Sequence, residues 1–429
     1  MRLAFVSPLP PVPSGIADYA ADLLELLAGR HEIELFHAQD RVDPSRLPAG
    51  LPLLPASELT ARHHERPYEL AVYQMGNGRS HDFVYGVLSR VPGLLVLHDL
   101  VLHHSRAAQF LESEAVRAWR RDPSSASARA AARPSLDAWR SELEYSYPRR
   151  GARLFEVHLG TVGDLLPYAY PLCRIPVEAS RAVAVHSAFV ANAVRMEVPG
   201  AVVMRVPMPA AAVAVDPRAV RELRARLGFG AEDVVVASFG LLTPEKRVEA
   251  VVRAVARAGT WDRRVRLLLV GPVPDPARLD AVLSRLGVRG KTVVTSRVPL
   301  DELATHIEAA DIVAHLRYPT ARETSAALLR ALAQGRATIV SDLEHQADLP
   351  DDAVVRADVA DEAGELTRAI LRLASDPGAR ARLGTAAAAY VRHAHASSRV
   401  REAWEDALAQ ARRLPDPRPR DWPAHWPRG

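Results

Sequence analysis

The chain has 429 residues, 48% of them hydrophobic and 25% charged, a globular composition on a length that calls for two domains of about 200 residues each. Its 55 basic and 51 acidic residues nearly balance, leaving a formal charge of +4, so no electrostatic footprint for nucleic acid is present and no nucleic-acid partner is expected. A single cysteine, Cys173, excludes an intramolecular disulfide, and no apolar run approaches the roughly 18 residues of a membrane span, so a cytoplasmic protein is expected.

The elements in chain order alternate between strand and helix. RLAFV (2–6) is followed by the loop SPLPPVPSGI, the helix ADYAADLLELLAG and the strand EIELF (32–36). LAVYQ (70–74), LLVLH (94–98) and AVAVH (182–186) are short apolar runs of the kind that a parallel sheet buries on both faces. Helical patterns between them supply the crossovers that parallel strands need.

From about Ser105 to Leu172 the pattern becomes an Arg-rich helical insert, within which PSSASARAAARPS reads as a flexible link between helices. The insert is either a solvated helical face or a membrane-surface patch, the second implying peripheral contact at the inner membrane face. VPMPAAAVAVDPRA (206–219) reads as an interdomain linker, which divides the chain into domains 1–207 and 208–400 and a helix with a Pro/Trp-rich tail at 401–429. After the linker the alternation resumes with DVVVASFG (233–240), VRLLLVG (265–271), KTVVTS (291–296), DIVAHL (311–316) and ATIVSD (337–342). The expected fold class is α/β, two doubly wound Rossmann-like halves with parallel sheets facing a cleft, and ligands in such sheets sit outside the carboxyl ends of the strands.

The loops after strands therefore carry the candidate chemistry. Loop 7–16 holds one glycine, Gly15, where a nicotinamide or flavin enzyme would need a glycine-rich turn. Gly15 at a helix mouth either lets a substrate approach backbone N–H groups or is a simple turn. VLHDLVLHHS (96–105) brings three histidines together without a zinc spacing, so no metal is expected. His98 there either donates to a phosphate or sugar hydroxyl or is a structural histidine. In GLLTPEKRVE (240–249), Lys246 stands just before a helix start; only two lysines, Lys246 and Lys291, occur in the chain, and an ammonium there either suits a phosphate or is an exposed helix-end lysine. RYPTARETSAALLRALAQG (317–335) reads as a loop running into a helix that opens with Glu323, Thr324 and Ser325, with the small Ala326 and Ala327 behind them. That is either an anion seat with a carboxylate beside it or a merely capped helix.

Taken together, GLLTPEKR, VRLLLVG, LDELATHIEAADIVAHL and RETSAALLRALAQGRATIVSD resemble the donor-binding domain of family 4 glycosyltransferases, and SPLPPVPSGIADYAADLL, YQMGNG, LLVLHDLVLHH and AVAVHSAFVANAV resemble the acceptor-side domain of bacterial members. The resemblance implies the GT-B fold and a retaining hexosyltransferase that moves a sugar from a nucleoside diphosphate donor to an acceptor hydroxyl on a glycan, glycolipid or small molecule, in polysaccharide or natural-product synthesis, with no cofactor and no metal. It further implies that Gly240, Lys246, Glu323, Thr324, Ser325, Ala326 and Arg330 lie at the donor, that Ser14, Gly15 and Asp99 lie on the acceptor side, and that His98, Glu323 and Lys246 carry the chemistry.

The chain departs from the family pattern in two places. Leu241 stands where the family often has an arginine, and of the family's paired glutamates the first falls on Arg322, with Glu323 one residue later, and the second on Arg330. These departures motivate two alternatives of the same fold, a non-catalytic sugar-nucleotide-binding or scaffold protein and a sugar-nucleotide epimerase.

Overall fold

A computed structural model describes residues 1–160, 165–418 and 420–426. The chain forms two compact units, one of Met1–Met208, Ala321–Thr324 and Val400–Gly429, the other of Pro209–Thr320 and Ser325–Arg399.

The first unit is built on seven parallel strands: β1 (Arg2–Val6), β2 (Glu32–His37), β3 (Leu53–Pro55), β4 (Leu70–Met75), β5 (Leu94–Leu97), β6 (Ala182–Val185) and β7 (Val203–Arg205), in the order β3-β2-β1-β4-β5-β6-β7. Leu3 pairs with Ile33 on one side and Leu70 on the other, and Val72 with Leu94. Every residue of β1, β4 and β5 is buried, as expected of apolar runs with no polar alternation. The order reverses direction between β1 and β4, which makes the carboxyl ends of these two strands the switch point of the sheet.

The insert is helical, and its segment PSSASARAAARPS is not a flexible link. Most of it lies inside a 21-residue helix, Ala126–Ser146, which Ser125 caps by accepting from the Ala128 N–H and which carries Pro134 in its interior. Alanine and arginine favour helix strongly enough to continue through the proline once tertiary contacts fix the helix. Trp139 and Leu143 from its second half pack with Phe110, Leu111, Leu154 and Leu172 into a core of the insert's own.

The Pro/Trp-rich tail packs on this unit. Trp422 and Trp426 are buried in the core beside the first sheet. The Trp422 indole donates to Glu178 Oε2 at 3.4 Å, and Trp426 Nε1 to Glu142 Oε2 at 3.2 Å. Arg106 donates from Nε to Glu142 Oε1 at 2.7 Å, and its guanidinium lies 4.2 Å from the Tyr85 ring centroid. A buried carboxylate needs such donors, and the tail provides two of them through Trp426 and His425.

The second unit holds six parallel strands: β8 (Val234–Phe239), β9 (Val265–Val270), β10 (Thr292–Thr295), β11 (Ile312–His315), β12 (Ala337–Ser341) and β13 (Val355–Ala357), in the order β10-β9-β8-β11-β12-β13. Ile312 pairs with Val236 and with Ala337, so here the switch point lies between β8 and β11. Helix Val248–Trp261 buries Val248, Val251, Val252, Val255 and Ala258, a stripe at helical spacing. No helix among the described residues is long and apolar enough to cross a membrane.

Candidate functional site

At the switch point of the first sheet, the loop after β1 ends at Ser14, whose Oγ accepts from the Ile16 N–H at 3.2 Å and caps helix Gly15–Leu27. Gly15 opens that helix with nothing within 4 Å of where a side chain would begin. The loop after β4 passes close to this first turn: a Cβ on Gly76 would stand 2.2 Å from Ile16 Cδ1 and 2.9 Å from Asp99 Oδ2, so a larger residue would have to displace both side chains. Asp99 accepts from the Asn77 N–H at 2.6 Å, while Asn77 Oδ1 accepts from the Ser105 N–H at 3.0 Å. Asp99 thus fastens the loop that follows β4.

His98 is 7% exposed, and both its ring nitrogens face partners inside the unit. Nδ1 lies 3.2 Å from His186 Nε2, and Nε2 lies 2.8 Å from the side-chain amide of Gln74. His186 Nδ1 lies 3.0 Å from the Val206 carbonyl, which can only accept. His186 therefore donates to the Val206 carbonyl, and the His98 ring bridges His186 and the Gln74 amide. Burial, with the neighbouring His186 and His81, pushes the His98 imidazolium well below the ordinary histidine range, which keeps it neutral. The Tyr19 ring packs edge-on at 4.6 Å between centroids. His98 is therefore enclosed at this end of the sheet, with both ring nitrogens toward neighbouring side chains.

The segment Ala321–Thr324 belongs to this unit although it lies between β11 and the helix that follows it in sequence. The Ala321 carbonyl accepts from the Leu100 and Val101 N–H groups at 3.1 and 3.3 Å, just beyond His98 and Asp99. Arg322 then turns at φ +61°. Glu323 and Thr324 lie outside the helix, so the sequence expectation of a helix opening with Glu323 is corrected: the helix is Ala326–Ala333, and its cap is Ser325, which accepts from the Leu328 N–H at 3.4 Å. The pinned Ala321 carbonyl and the left-handed turn at Arg322 keep the helix from starting earlier.

The corresponding end of the second sheet is organised by Gly240 and Lys246. Gly240 follows β8 at φ +95°, and Lys246 ends a tight turn, Pro244–Lys246. The Lys246 ammonium folds back to donate to the Phe239 carbonyl at 3.0 Å, so closely over Gly240 that a Cβ there would lie 2.3 Å from Nζ. The next residue, Arg247, is left-handed at φ +55° and forks onto Glu362 Oε2 from Nε at 2.9 Å and Nη2 at 2.7 Å. Across the switch point, the Tyr318 N–H donates to the Glu245 carbonyl at 2.8 Å, and the Arg317 N–H to Ser341 Oγ at 3.0 Å. His315, at the end of β11, is held neutral first by burial and then by the charges of Arg317, Lys246 and His345. Ser325 and Ala326 begin the helix after β11, and Arg330 lies in its last turn. Leu241 is 52% exposed beside this loop.

The structure therefore places Ser14, Gly15, His98, Asp99, Glu323 and Thr324 in the first unit, and Gly240, Lys246, Ser325, Ala326 and Arg330 in the second. Arg247 with Glu362, and the His98–His186 pair, were not singled out from sequence. Arg247 had a visible signal, standing beside Lys246 in PEKR, but its carboxylate is 115 residues away. His315 was hidden inside the apolar run DIVAHL.

Two doubly wound parallel sheets, with most of the candidate residues in loops that follow the carboxyl ends of their strands, define the GT-B fold. The sequence model of the family described as Glycosyl transferases group 1 matches residues 233–376, so the second unit carries a domain of that family, in keeping with the family 4 type read from the motifs. HepE of Anabaena, solved in complex with UDP, superposes with a TM-score of 0.66 at 15% identity, covering 96% of this chain and 100% of its own. Sucrose-phosphate synthase of Thermosynechococcus elongatus gives a TM-score of 0.64 at 17% identity, covering 96% and 99%. WaaG, a glycosyltransferase involved in lipopolysaccharide biosynthesis, gives 0.62 at 13% identity, covering 95% and 99%. No curated protein matches the sequence.

Proposed function

We propose that this protein is a retaining glycosyltransferase that moves a hexose from a nucleoside diphosphate sugar to an acceptor hydroxyl of a glycan, glycolipid or small molecule, without a metal. The observation that carries the reading is the Lys246 ammonium held over Gly240 at the switch point of the second sheet, within the residues matched by the glycosyltransferase family. The UDP and UDP-glucose complexes of HepE support a nucleotide sugar as the donor.

In glycosyl transfer the bond to the diphosphate breaks as the sugar becomes cation-like, so negative charge grows on the leaving group. A fixed ammonium and the N–H groups at the start of helix Ala326–Ala333 stabilise that charge without reorganising. Glu323 orients the donor sugar through its hydroxyls, and Gly15, Ser14 and Asp99 form the acceptor side. His98, neutral and enclosed, sets the position of the loop that bears Asp99.

Arg330 and Leu241 in place of more usual residues favour the second reading, a protein that binds sugar nucleotides without turnover. Incubation with a panel of UDP-, GDP- and dTDP-sugars in the presence of EDTA, following release of the nucleoside diphosphate, separates the two. Release with any donor supports the transferase. Tight donor binding with no release, for every sugar and acceptor tried, replaces it with the binding protein.

A further inference from the structure

Arg322 stands in a backbone conformation that suits glycine. Its φ of +61° lies in the left-handed region, which disfavours a residue carrying a Cβ. The surroundings must over-determine such a residue for it to persist. Two sets of contacts do so. Behind it, the Ala321 carbonyl is held by the Leu100 and Val101 N–H groups. Beyond the backbone, the Arg322 guanidinium lies 5.6 Å from the centroid of the Phe189 ring, in the first turn of helix Ala188–Glu197. Its charge also acts on the half-buried carboxyl of Glu197 at the far end of that helix; burial raises that carboxyl, and Arg174 and Arg322 pull it back toward the ionised form. A guanidinium on an aromatic face is a specific anchor, which glycine could not provide.

We propose that Arg322 is a positioning residue: seated on Phe189, it holds Ala321–Thr324 onto the loop after β5 and thereby fixes the carboxylate of Glu323 for the donor sugar. The part of this inference that concerns the sugar rests on the transferase reading. The anchoring itself does not, because it is visible in the exchange of two backbone amides.

The test uses the full-length protein and the Arg322→Gly, Phe189→Leu and Phe189→Tyr variants. Glycine relieves the left-handed strain, so Arg322→Gly should melt no lower than the wild type. It should nevertheless exchange the Leu100 and Val101 amide hydrogens about tenfold faster or more, since the segment that protects them is released. On the best donor, kcat should fall about tenfold or more with the donor KM little changed, the pattern of an interaction made in the transition state. Phe189→Leu should reproduce the faster exchange, and Phe189→Tyr, which keeps the ring, should behave as wild type. Unchanged exchange at Leu100 and Val101 in Arg322→Gly overturns the anchor. Faster exchange with unchanged kcat in an active enzyme overturns its role in placing Glu323. A wild type without transfer to any acceptor, but with the exchange behaviour described, refutes the transferase reading and leaves the anchor standing.

Discussion

Gly240→Ala should disable the proposed donor seat without removing any polar group. The added Cβ would stand 2.3 Å from Lys246 Nζ, and φ at this position is +95°. An L-residue held there costs about 1–2 kcal/mol. Displacing the ammonium from the Phe239 carbonyl, a 3.0 Å bond at a half-buried site, costs about 1 kcal/mol more once its rehydration is allowed for. The total of about 2–3 kcal/mol corresponds to a melting temperature lower by roughly 4–12 °C for a unit of this size. Moving a charge by an ångström from its working position lowers turnover by about 10²-fold. The assay is a double-mutant cycle on the best donor, with initial rates and thermal melts for Gly240→Ala, Lys246→Ala and the pair. If glycine acts by making room for the lysine, the double variant turns over no more slowly than Lys246→Ala alone. Fully additive losses, or normal turnover in Gly240→Ala, would refute the reasoning.

His98→Ala should destabilise the first unit by about 2–4 kcal/mol, since it opens a cavity and strands Gln74 and His186; a variant that melts as wild type yet is inactive would show His98 acting on substrate instead. Glu323→Gln keeps the shape and removes the charge, so transfer should fall while the melting temperature holds, and unaltered kcat would remove Glu323 from the mechanism. Deleting the tail after Leu414 takes Trp426 and His425 from Glu142, and the first unit should then melt several degrees lower and lose protection in helix Ala126–Ser146. Burial alone would raise the Glu142 carboxyl, but Arg106, followed by His425, holds it at about 2 against an ordinary 4.5. Its contribution to stability is thus complete above about pH 4.5 and lost as pH falls toward 2, and Glu142→Gln should flatten stability across that window in an acid titration.

The long strands were legible because a parallel sheet buries both faces of each one, and LAFV, LAVYQ and VRLLLV leave no other reading. The strands that escaped, Leu53–Pro55, Val203–Arg205 and Val355–Ala357, are three residues each and lie at or near sheet edges, where neither length nor burial writes a pattern. Gly240 and Lys246 were legible as a loop after a strand with a rare lysine. Their mutual contact was not, because it depends on a positive φ that sequence does not display. The opening of helix Ala326–Ala333 was misplaced by a few residues because Glu323 and Thr324 are as plausible in a first helical turn as Ser325 is at its cap. What excludes them is the hold of Leu100 and Val101 on Ala321, a contact more than 200 positions distant in sequence and invisible to local propensity.

The central claim is that the Lys246 ammonium acts on the leaving diphosphate during transfer. It is tested most directly by initial rates of wild type and Lys246→Ala at saturating concentrations of the best donor from the panel, with donor affinity and thermal melts measured on the same samples. The account predicts turnover lower by about 10²-fold or more, a smaller loss of donor binding and a folded variant. Wild-type turnover in folded Lys246→Ala would contradict it.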